Sequence, residues 1–409
     1  MSITRREFLG TAGAVAISAP HETLSGPSLR SAELVAPSRL PPGDRFDPWV
    51  EVEPAALDHN IAQVRRLSGR PILAVVKNDA YGLGLAVAAR LLEPKPEIHG
   101  FAVVRTAEAI ALRDAGVRKP VLLMAHAAAS DVPELAARDI EIALFTDDDA
   151  NRLEAVSRSA GRRIPAHFYI DTGMGRMGIR HERALPWMRR CAQSDAFEIR
   201  GTMTEFTEET DFDREQLRRF TALVTDARAA GVPLGRLHAA SSNGVYHLPE
   251  AHLDLVRPGM ALWGGYPSRP EEEHAKAELR PAVRLRARVV RVERLNKGDG
   301  VSYGRNYIAQ APVWTATLPV GHVDGYPRIA VKGARILIGA RLYPVIGAVS
   351  ASHCIIEVGD QPTVEVGDVA TMLGPDDPAI HPNAVATATD GSVYDLFMHL
   401  DPKLPRFVV

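Results

Sequence analysis

Cysteine is scarce in this chain of 409 residues, which has only Cys191 and Cys354, at a spacing that fits no metal-binding motif. The sequence has no run of 18 apolar residues, so we expect no membrane span in the mature protein. Neither sign of charge dominates, because the chain has 48 basic and 50 acidic residues and a formal net charge of −2. This balance argues against a nucleic-acid partner, which favours a strongly basic surface.

Apolar, strand-like runs recur along the first two thirds of the chain, separated by segments of helical periodicity. The runs are 72–76, 98–104, 120–124, 140–145, 164–170, 198–204, 236–240 and 254–257. Eight alternating units of this kind predict an α/β fold, a TIM-type (β/α)8 barrel. The alternative is a doubly wound open sheet, but no glycine fingerprint for a dinucleotide follows the first run. In one clear helical segment, apolar residues recur from Leu217 to Ala227, and Asp213 is its expected N-cap.

The pattern changes after about residue 275, where short alternating runs become frequent. Residues 283–289 alternate strictly, and further β-like runs are 334–337, 343–349, 354–358 and 364–373. We therefore predict a barrel domain over 46–275 and a separate all-β domain over 276–409. Since the two cysteines fall in different predicted domains, we do not expect them to form a disulfide.

The N-terminus has the layout of a twin-arginine export signal. Thr4-Arg5-Arg6-Glu7-Phe8-Leu9 pairs two arginines ahead of Phe-Leu, and an Ala- and Gly-rich apolar run follows to Ala19. Residues 20–45 are rich in Pro, Ser and Gly, which is typical of a tether. We expect 1–45 to direct export, with the mature protein in the periplasm.

A lysine stands where the first predicted barrel strand ends. Lys77 follows the apolar run 72–76 and precedes a loop with Asn78, Tyr81 and two glycines. A barrel interior is normally packed with branched apolar side chains, so a lysine at this position is unusual. It is either a solvated loop residue or a lysine that bonds covalently to a carbonyl cofactor.

Other predicted strands end in polar or glycine-rich groups at the same rim of the barrel, where such barrels hold their active sites. They are Asp171 to Gly178, Glu205, Ser241 to Gly244, and Arg257 to Met260. Ser242, the backbone amides of Gly259 and Met260, and the hydroxyl of Tyr81 suit a phosphate group, because glycine lets the backbone approach an anion closely.

The segment Lys77-Asn78-Asp79-Ala80-Tyr81-Gly82-Leu83-Gly84 resembles the pyridoxal-phosphate segment of alanine racemases. The resemblance runs from about Trp49 to the C-terminus and implies a pyridoxal 5'-phosphate-dependent amino-acid racemase. It implies a homodimer with shared active sites, and a strand at 49–53 that joins the β domain. The chemistry would be racemisation by two bases, one on each face of the α-carbon.

The resemblance also implies roles for individual residues. Lys77 would bind the cofactor covalently and act as one base, on the face that gives the D-isomer. Tyr303, in Gly300-Val-Ser-Tyr-Gly304, would be the second base and would reach the site of a partner subunit. Arg176 would position the phenolic oxygen of the cofactor. Arg257 would face its pyridine nitrogen and, as a permanent cation, keep that nitrogen unprotonated. Tyr81, Ser242, Gly259 and Met260 would hold the phosphate.

Several positions depart from the family pattern. Glu205 replaces the histidine that links the base tyrosine to the pyridine arginine. Tyr169 replaces a lysine that is often carbamylated, and His322 replaces a tyrosine. Ala351-Ser352 replaces a Met-Asp pair that lines the substrate pocket from the partner subunit. Pro402 matches a further phosphate-binding tyrosine, so the resemblance implies one phosphate contact fewer.

Retained bases beside an altered pocket indicate a racemase with a specificity other than, or broader than, alanine. One alternative is a decarboxylase or aldolase of the same fold, against which the Val-Ser-Tyr-Gly segment argues. Another is a non-catalytic pyridoxal-phosphate-binding protein, and these tend to be single barrels. A third is an inactive paralogue, which the substitutions at Glu205, His322 and Ala351-Ser352 leave open.

Overall fold

The structure, a computed structural model, describes residues 45–409. The predicted export signal and almost all of the predicted tether lie outside these residues. Within the described part, no helix is long and apolar enough to cross a membrane. Both cysteines are buried and unpaired thiols.

In residues 45–409, eight parallel strands close into a barrel, which confirms the predicted fold class. They are Ile72–Val75, Ile98–Val103, Val121–Leu123, Ile140–Leu144, Ile164–Asp171, Phe197–Met203, Arg236–Ser241 and Leu255–Arg257. Closure comes from the pairing of Val256 with Ile72, which joins the last strand to the first. A short strand, Ile179–Arg180, adds to the edge beside Asp171. Each strand lies within about a residue of its predicted position, because long buried apolar runs have few alternatives.

Helices surround the barrel and cover its apolar outer face. They are Pro54–Ser68, Leu85–Leu92, Thr106–Asp114, Val132–Ala137, Asp147–Ala160, His181–Gln193, Thr210–Ala229, Ser242–His247 and Pro270–Lys276. The prediction that Asp213 caps its helix is wrong: the helix begins at Thr210, and Glu209 caps it by accepting from the Phe212 amide. Asp213 lies in the first turn, where its carboxylate instead accepts from the amide and the hydroxyl of Thr207.

A second sheet forms the core of the C-terminal domain. Its strand order is Arg291–Leu295, Val313–Leu318, Cys354–Gly359, Arg341–Ile346, Arg335–Ile338, Val369–Leu373, Val283–Arg288, Trp49–Val52 and Arg406–Val408. Residues 49–52 therefore lie in this sheet although they precede the barrel in the chain. Of the predicted run 364–373 only Val369–Leu373 is a strand, because Gly367 has a φ of +98° and Asp368 closes a turn. A separate hairpin pairs Gly300–Val301 with Tyr307–Ile308.

Two short helices, Pro382–Ala388 and Val393–Met398, lie between the last two strands of the second sheet in chain order. The end of the second helix packs on the turn that follows Lys77. There, Met398 accepts a hydrogen bond from the Asn78 side chain at 3.4 Å, and Arg406 donates to the Gly82 carbonyl at 2.6 Å. The C-terminal domain therefore closes one side of the barrel rim.

Candidate active site

The chain turns in an unusual way directly after the first barrel strand. Asn78, Asp79, Ala80 and Tyr81 all have φ between +54° and +58°, so four successive non-glycine residues are left-handed. Such a conformation costs roughly 1–2 kcal/mol for each L-residue, because Cβ crowds the following carbonyl. These four residues adopt a backbone conformation that non-glycine residues disfavour, so contacts with the surrounding structure must hold the segment in place.

Asp79 is central to the bonds that hold this turn. Its carboxylate accepts from the Leu85 amide at 2.7 Å, and its own amide donates to the carboxylate of Glu108 at 3.2 Å. Its carbonyl oxygen accepts from the Gly84 amide at 2.9 Å. The turn is thereby tied to the next two helices, and Lys77 begins it as a fixed residue at the barrel rim.

A cavity of about 580 Å³ opens over this turn, and most of the predicted site residues line it. Those in its wall are Lys77, Tyr81, Arg176, Glu205, Ser242, Arg257 and Gly259. They come from five separate stretches of the barrel sequence, and the order of the strands in the barrel brings them to one rim. A volume of this size suits a small-molecule ligand.

One part of the cavity lining carries hydrogen-bond donors that suit an anion. Ser242 Oγ accepts from the amides of Gly259 and Ala261 at 3.1 and 3.2 Å, which leaves its own hydrogen free to donate. A Cβ built on Gly259 would lie 2.1 Å from the hydroxyl of Tyr81, so the phenol occupies the space that a side chain would need. Burial raises the pKa of Tyr81, which therefore stays a donor. These donors fit a phosphate group.

Met260 and Pro402 are not among the residues that line the cavity. Met260 is fully buried, and its sulfur lies against Gly265, away from the cavity wall. The phosphate role of its backbone amide stays a prediction. The loss of one phosphate contact at Pro402 also stays a prediction: Pro402 is exposed, and Tyr394 lines the cavity. The ring of Tyr394 lies 6.3 Å from that of Tyr81.

Lys77 and Arg257 give the cavity two cations in different surroundings. Burial lowers the pKa of Lys77, and the nearby carboxylate of Glu205 opposes that shift. Arg257 is almost fully buried and donates to Glu205 at 2.9 Å. A lysine with a lowered pKa is a better base near neutrality, whereas a paired guanidinium stays a fixed charge.

Comparison with known proteins identifies the family to which this chain belongs. Residues 52–267 match the family model for the alanine racemase N-terminal domain, and residues 282–408 match that for its C-terminal domain. The chain belongs to the alanine racemase family. It is 31% identical to the alanine racemase of Desulforamulus reducens over 88% of this chain and 98% of the relative. It is 32% identical to that of Desulfovibrio desulfuricans, with the same coverage.

Solved structures show the same relationship in three dimensions. The alanine racemase of Streptomyces coelicolor superposes with a TM-score of 0.83 at 27% identity, covering 89% of this chain and 98% of the other. That of E. faecalis gives 0.80 at 28% identity, with the same coverage. The resemblance predicted from the Lys77 segment is thus confirmed. The protein is an isomerase of the alanine racemase type, and enzymes of this family depend on pyridoxal phosphate.

The remaining predicted residues of this racemase-family chain lie outside the cavity. Tyr303 is 80% exposed on a turn in the C-terminal domain, which Ser302 enters with a φ of +64°. Ala351 and Ser352 are also exposed. His322 lines a different pocket of about 360 Å³, beside Tyr326 and Asp395. The chain therefore does not bring these four residues to its own Lys77.

Sequence reasoning missed three groups at or near this racemase site. Tyr394 and Glu208 line the cavity, and Glu208 has a left-handed φ of +67°. The third group is a set of buried polar side chains on barrel strands, of which His238 contacts Arg257. A polar residue within an apolar buried strand was the available signal for this last group. Nothing in the local sequence pattern distinguished Glu208 from a solvated loop residue.

Proposed function

We propose that this protein interconverts L- and D-amino acids with two bases, and that its specificity is other than, or broader than, alanine. The observation that carries the proposal is the single cavity wall formed by Lys77, Arg257 and the anion cradle of Tyr81, Ser242 and Gly259. Pyridoxal phosphate, when bound there, supplies the electron sink that makes the α-proton of an amino acid acidic.

The chain's own residues would divide the work. Tyr81 and Ser242 would donate to the phosphate beside Gly259, whose own amide already donates to Ser242, and Arg257 would set a fixed positive charge beside the ring nitrogen. Lys77 would hold or release a proton on one face of the α-carbon, which its lowered pKa favours. Tyr303 would do the same on the opposite face, from a partner subunit.

Support for an altered specificity comes from Glu205, Ala351 and Ser352. Glu205 places a carboxylate at the cavity, paired with Arg257, at the position of a family histidine. Ala351 and Ser352 are small and exposed where the family has a larger, charged pair. A substrate with a longer or polar side chain would meet less bulk there and an added negative charge at Glu205.

A racemisation panel tests the proposal. Protein without residues 1–45, loaded with pyridoxal phosphate, is incubated with L-amino acids that cover small, polar, cationic and branched side chains. We expect D-isomer from several of them and none from the Lys77→Ala variant. If the protein retains the cofactor but racemises no substrate, the proposal is wrong. If it strongly prefers alanine alone, the proposed specificity is wrong. Release of carbon dioxide or an aldehyde would instead indicate a lyase.

We also propose that two copies share each site, since Tyr303 is exposed and does not reach the cavity of its own chain. Mixed dimers of Lys77→Ala and Tyr303→Phe chains test this arrangement. Each mixed dimer would contain one intact site, so activity should recover to about a quarter of the wild-type value after random exchange. No recovery, with mixed dimers present by mass spectrometry, contradicts a shared site.

Export to the periplasm rests on the N-terminal sequence, Arg5-Arg6 followed by Phe8 and Leu9. A reporter protein fused to residues 1–45 should reach the periplasm of a bacterium with twin-arginine transport. Joint Arg5→Lys and Arg6→Lys substitution should retain it in the cytoplasm. Equal export of both fusions contradicts the proposal.

A further inference from the structure

A chain of hydrogen bonds links Arg257 to a carboxylate on the other side of the barrel interior. Arg257 Nη1 lies 3.0 Å from His238 Nδ1, and His238 Nε2 lies 2.9 Å from His167 Nδ1. His167 Nε2 lies 2.8 Å from Glu141 Oε2. All four side chains are buried, with 5% exposure or less for each residue.

The chain of contacts runs between the two ends of the barrel. Arg257 is the last residue of its strand, at the rim that carries the Lys77 cavity. Glu141 is the second residue of Ile140–Leu144, near the opposite rim. Both histidines lie within their strands, where a barrel normally places branched apolar side chains. Four polar residues inside a barrel are costly unless every donor meets an acceptor.

Donor and acceptor rules allow one arrangement of protons along this chain of contacts. A guanidinium can only donate, so His238 Nδ1 accepts and its proton lies on Nε2. His238 Nε2 then donates to His167 Nδ1, whose proton must lie on Nε2. His167 Nε2 in turn donates to the carboxylate of Glu141. If His167 were protonated, its Nδ1–H would face the Nε2–H of His238, and two donors would meet without an acceptor between them.

The charges around these groups agree with this arrangement. Burial and the positive charge of Arg257 lower the pKa of His238 well below its ordinary value, so His238 is neutral. Burial alone would raise the pKa of Glu141, but the His167 hydrogen bond and the charge of Arg200 hold it below its usual value. Arg200 Nη1 lies 3.4 Å from Glu141. His99 is close to the same cluster, and burial lowers its pKa too.

We propose that Glu141 is a positioning residue that acts through His167 and His238, fixing the tautomers that let His238 accept from Arg257. Without an acceptor at Glu141, His167 is free to carry its proton on Nδ1. His238 must then accept at Nε2 and carry its own proton on Nδ1, facing the N–H groups of Arg257. Arg257 would be displaced from the cavity wall. The effect of this displacement on cofactor binding rests on the function proposed above. The assignment of the tautomers does not depend on that function.

Nitrogen NMR of the wild-type protein tests the proton arrangement directly. The full chain is labelled with ¹⁵N-histidine, and the His167 and His238 signals are assigned by loss in His167→Gln and His238→Gln. We expect both rings to be neutral with the proton on Nε2, unchanged from about pH 6 to pH 9, around the free-histidine pKa. An imidazolium, or a proton on Nδ1 of either ring, overturns the proposal without any variant of Glu141.

A matched pair of variants then tests the role of Glu141. Glu141→Met keeps the length of the side chain and removes the acceptor. Glu198→Gln is the control, because Glu198 contacts the same Arg200 at 3.1 Å but lies outside the chain of contacts to Arg257.

In Glu141→Met we expect signals from the Nδ1–H form of His167 or His238, and a Kd for pyridoxal phosphate raised about tenfold, as for a lost hydrogen bond to a charged group. Glu198→Gln should keep the wild-type signals and affinity. Wild-type tautomers in Glu141→Met would overturn the proposal. Altered tautomers with unchanged affinity would overturn only the link to the cofactor.

Discussion

The carboxylate of Glu205 lies 2.9 Å from Nη2 of Arg257, and the same nitrogen also donates to the carbonyl oxygens of Thr204 and Ala239. The guanidinium is thus held from three sides at the cavity wall. Glu205 is 21% exposed and also lies near Lys77, so one carboxylate influences both cations of the site.

Glu205→Gln should lower the pKa of Lys77 further. The carboxylate of Glu205 favours the charged amine, so its removal leaves burial less opposed. A neutral amine attacks the cofactor aldehyde, and the rate of covalent attachment to cofactor-free protein therefore reports on its titration. We expect the midpoint of that rate to move to lower pH. Glu293→Gln, on an exposed strand of the second sheet, is the control, and a midpoint that stays fixed or rises in Glu205→Gln contradicts the prediction.

Tyr394→Phe should weaken the binding of pyridoxal phosphate by about tenfold, as expected when a hydrogen bond to a charged group is lost. Burial raises the pKa of Tyr394, so its hydroxyl is a donor beside the anion cradle. The dissociation constant is measured in a Lys77→Ala background, where no covalent link forms. Tyr343→Phe is the control, because its hydroxyl contacts Thr363 in the C-terminal domain. Equal affinities in the two variants would place Tyr394 outside the cradle.

Gly259→Ala should disrupt the cradle by steric contact. A Cβ there would lie 2.1 Å from the Tyr81 hydroxyl. Overpacking of this kind costs about 1–3 kcal/mol, which corresponds to roughly 5- to 150-fold in affinity for the cofactor. Gly333→Ala is the control, since its Cβ would meet nothing closer than 3.8 Å. Full cofactor affinity in Gly259→Ala would argue against the cradle.

Glu208 should make stability depend on pH. Desolvation and the negative charge of Glu205 raise its pKa from 4.5 to about 7. The native protein therefore binds this proton more tightly than the unfolded chain does, and the free energy of unfolding falls as pH rises from about 4.5 to about 7. Glu208→Gln removes this loss. The melting temperature of the variant relative to wild type should be higher at pH 8 than at pH 5.

Glu250→Gln, a substitution of an exposed carboxylate, is the reference for the Glu208 measurement. Its melting temperature relative to wild type should be the same at both pH values. A Glu208→Gln difference that is equally flat would show that the carboxyl of Glu208 titrates as it does in the unfolded chain.

The barrel could be predicted from the sequence because each strand is a buried apolar run with helical segments on either side. The position of Lys77 followed from the same pattern, since a strand end fixes the rim. Sheet order then gathered Ser242, Arg257 and Gly259 without further information. These features depend on local periodicity and on a topology with few alternatives.

The C-terminal contributions could not be read in the same way. Tyr394 lies in a helix of six residues, too short for a clear period, and its place at the cavity depends on how the second domain packs against the barrel. The helix start at Thr210 was misplaced because Asp is a preferred N-cap residue and Glu is not, and only the fold gives the cap to Glu209. Glu141 and His167 come into contact only when the barrel closes, so the local sequence around either residue does not show the pair.

The left-handed turn after Lys77 has a consequence for how this protein can change over evolution. The strained residues of this turn lower the free energy of unfolding, and they lie directly after the lysine that the turn must hold. A substitution such as Ala80→Gly would relieve strain and raise thermal stability, yet it would give the lysine more conformations to lose on binding. Selection for heat resistance and selection for turnover should therefore pull this turn in opposite directions.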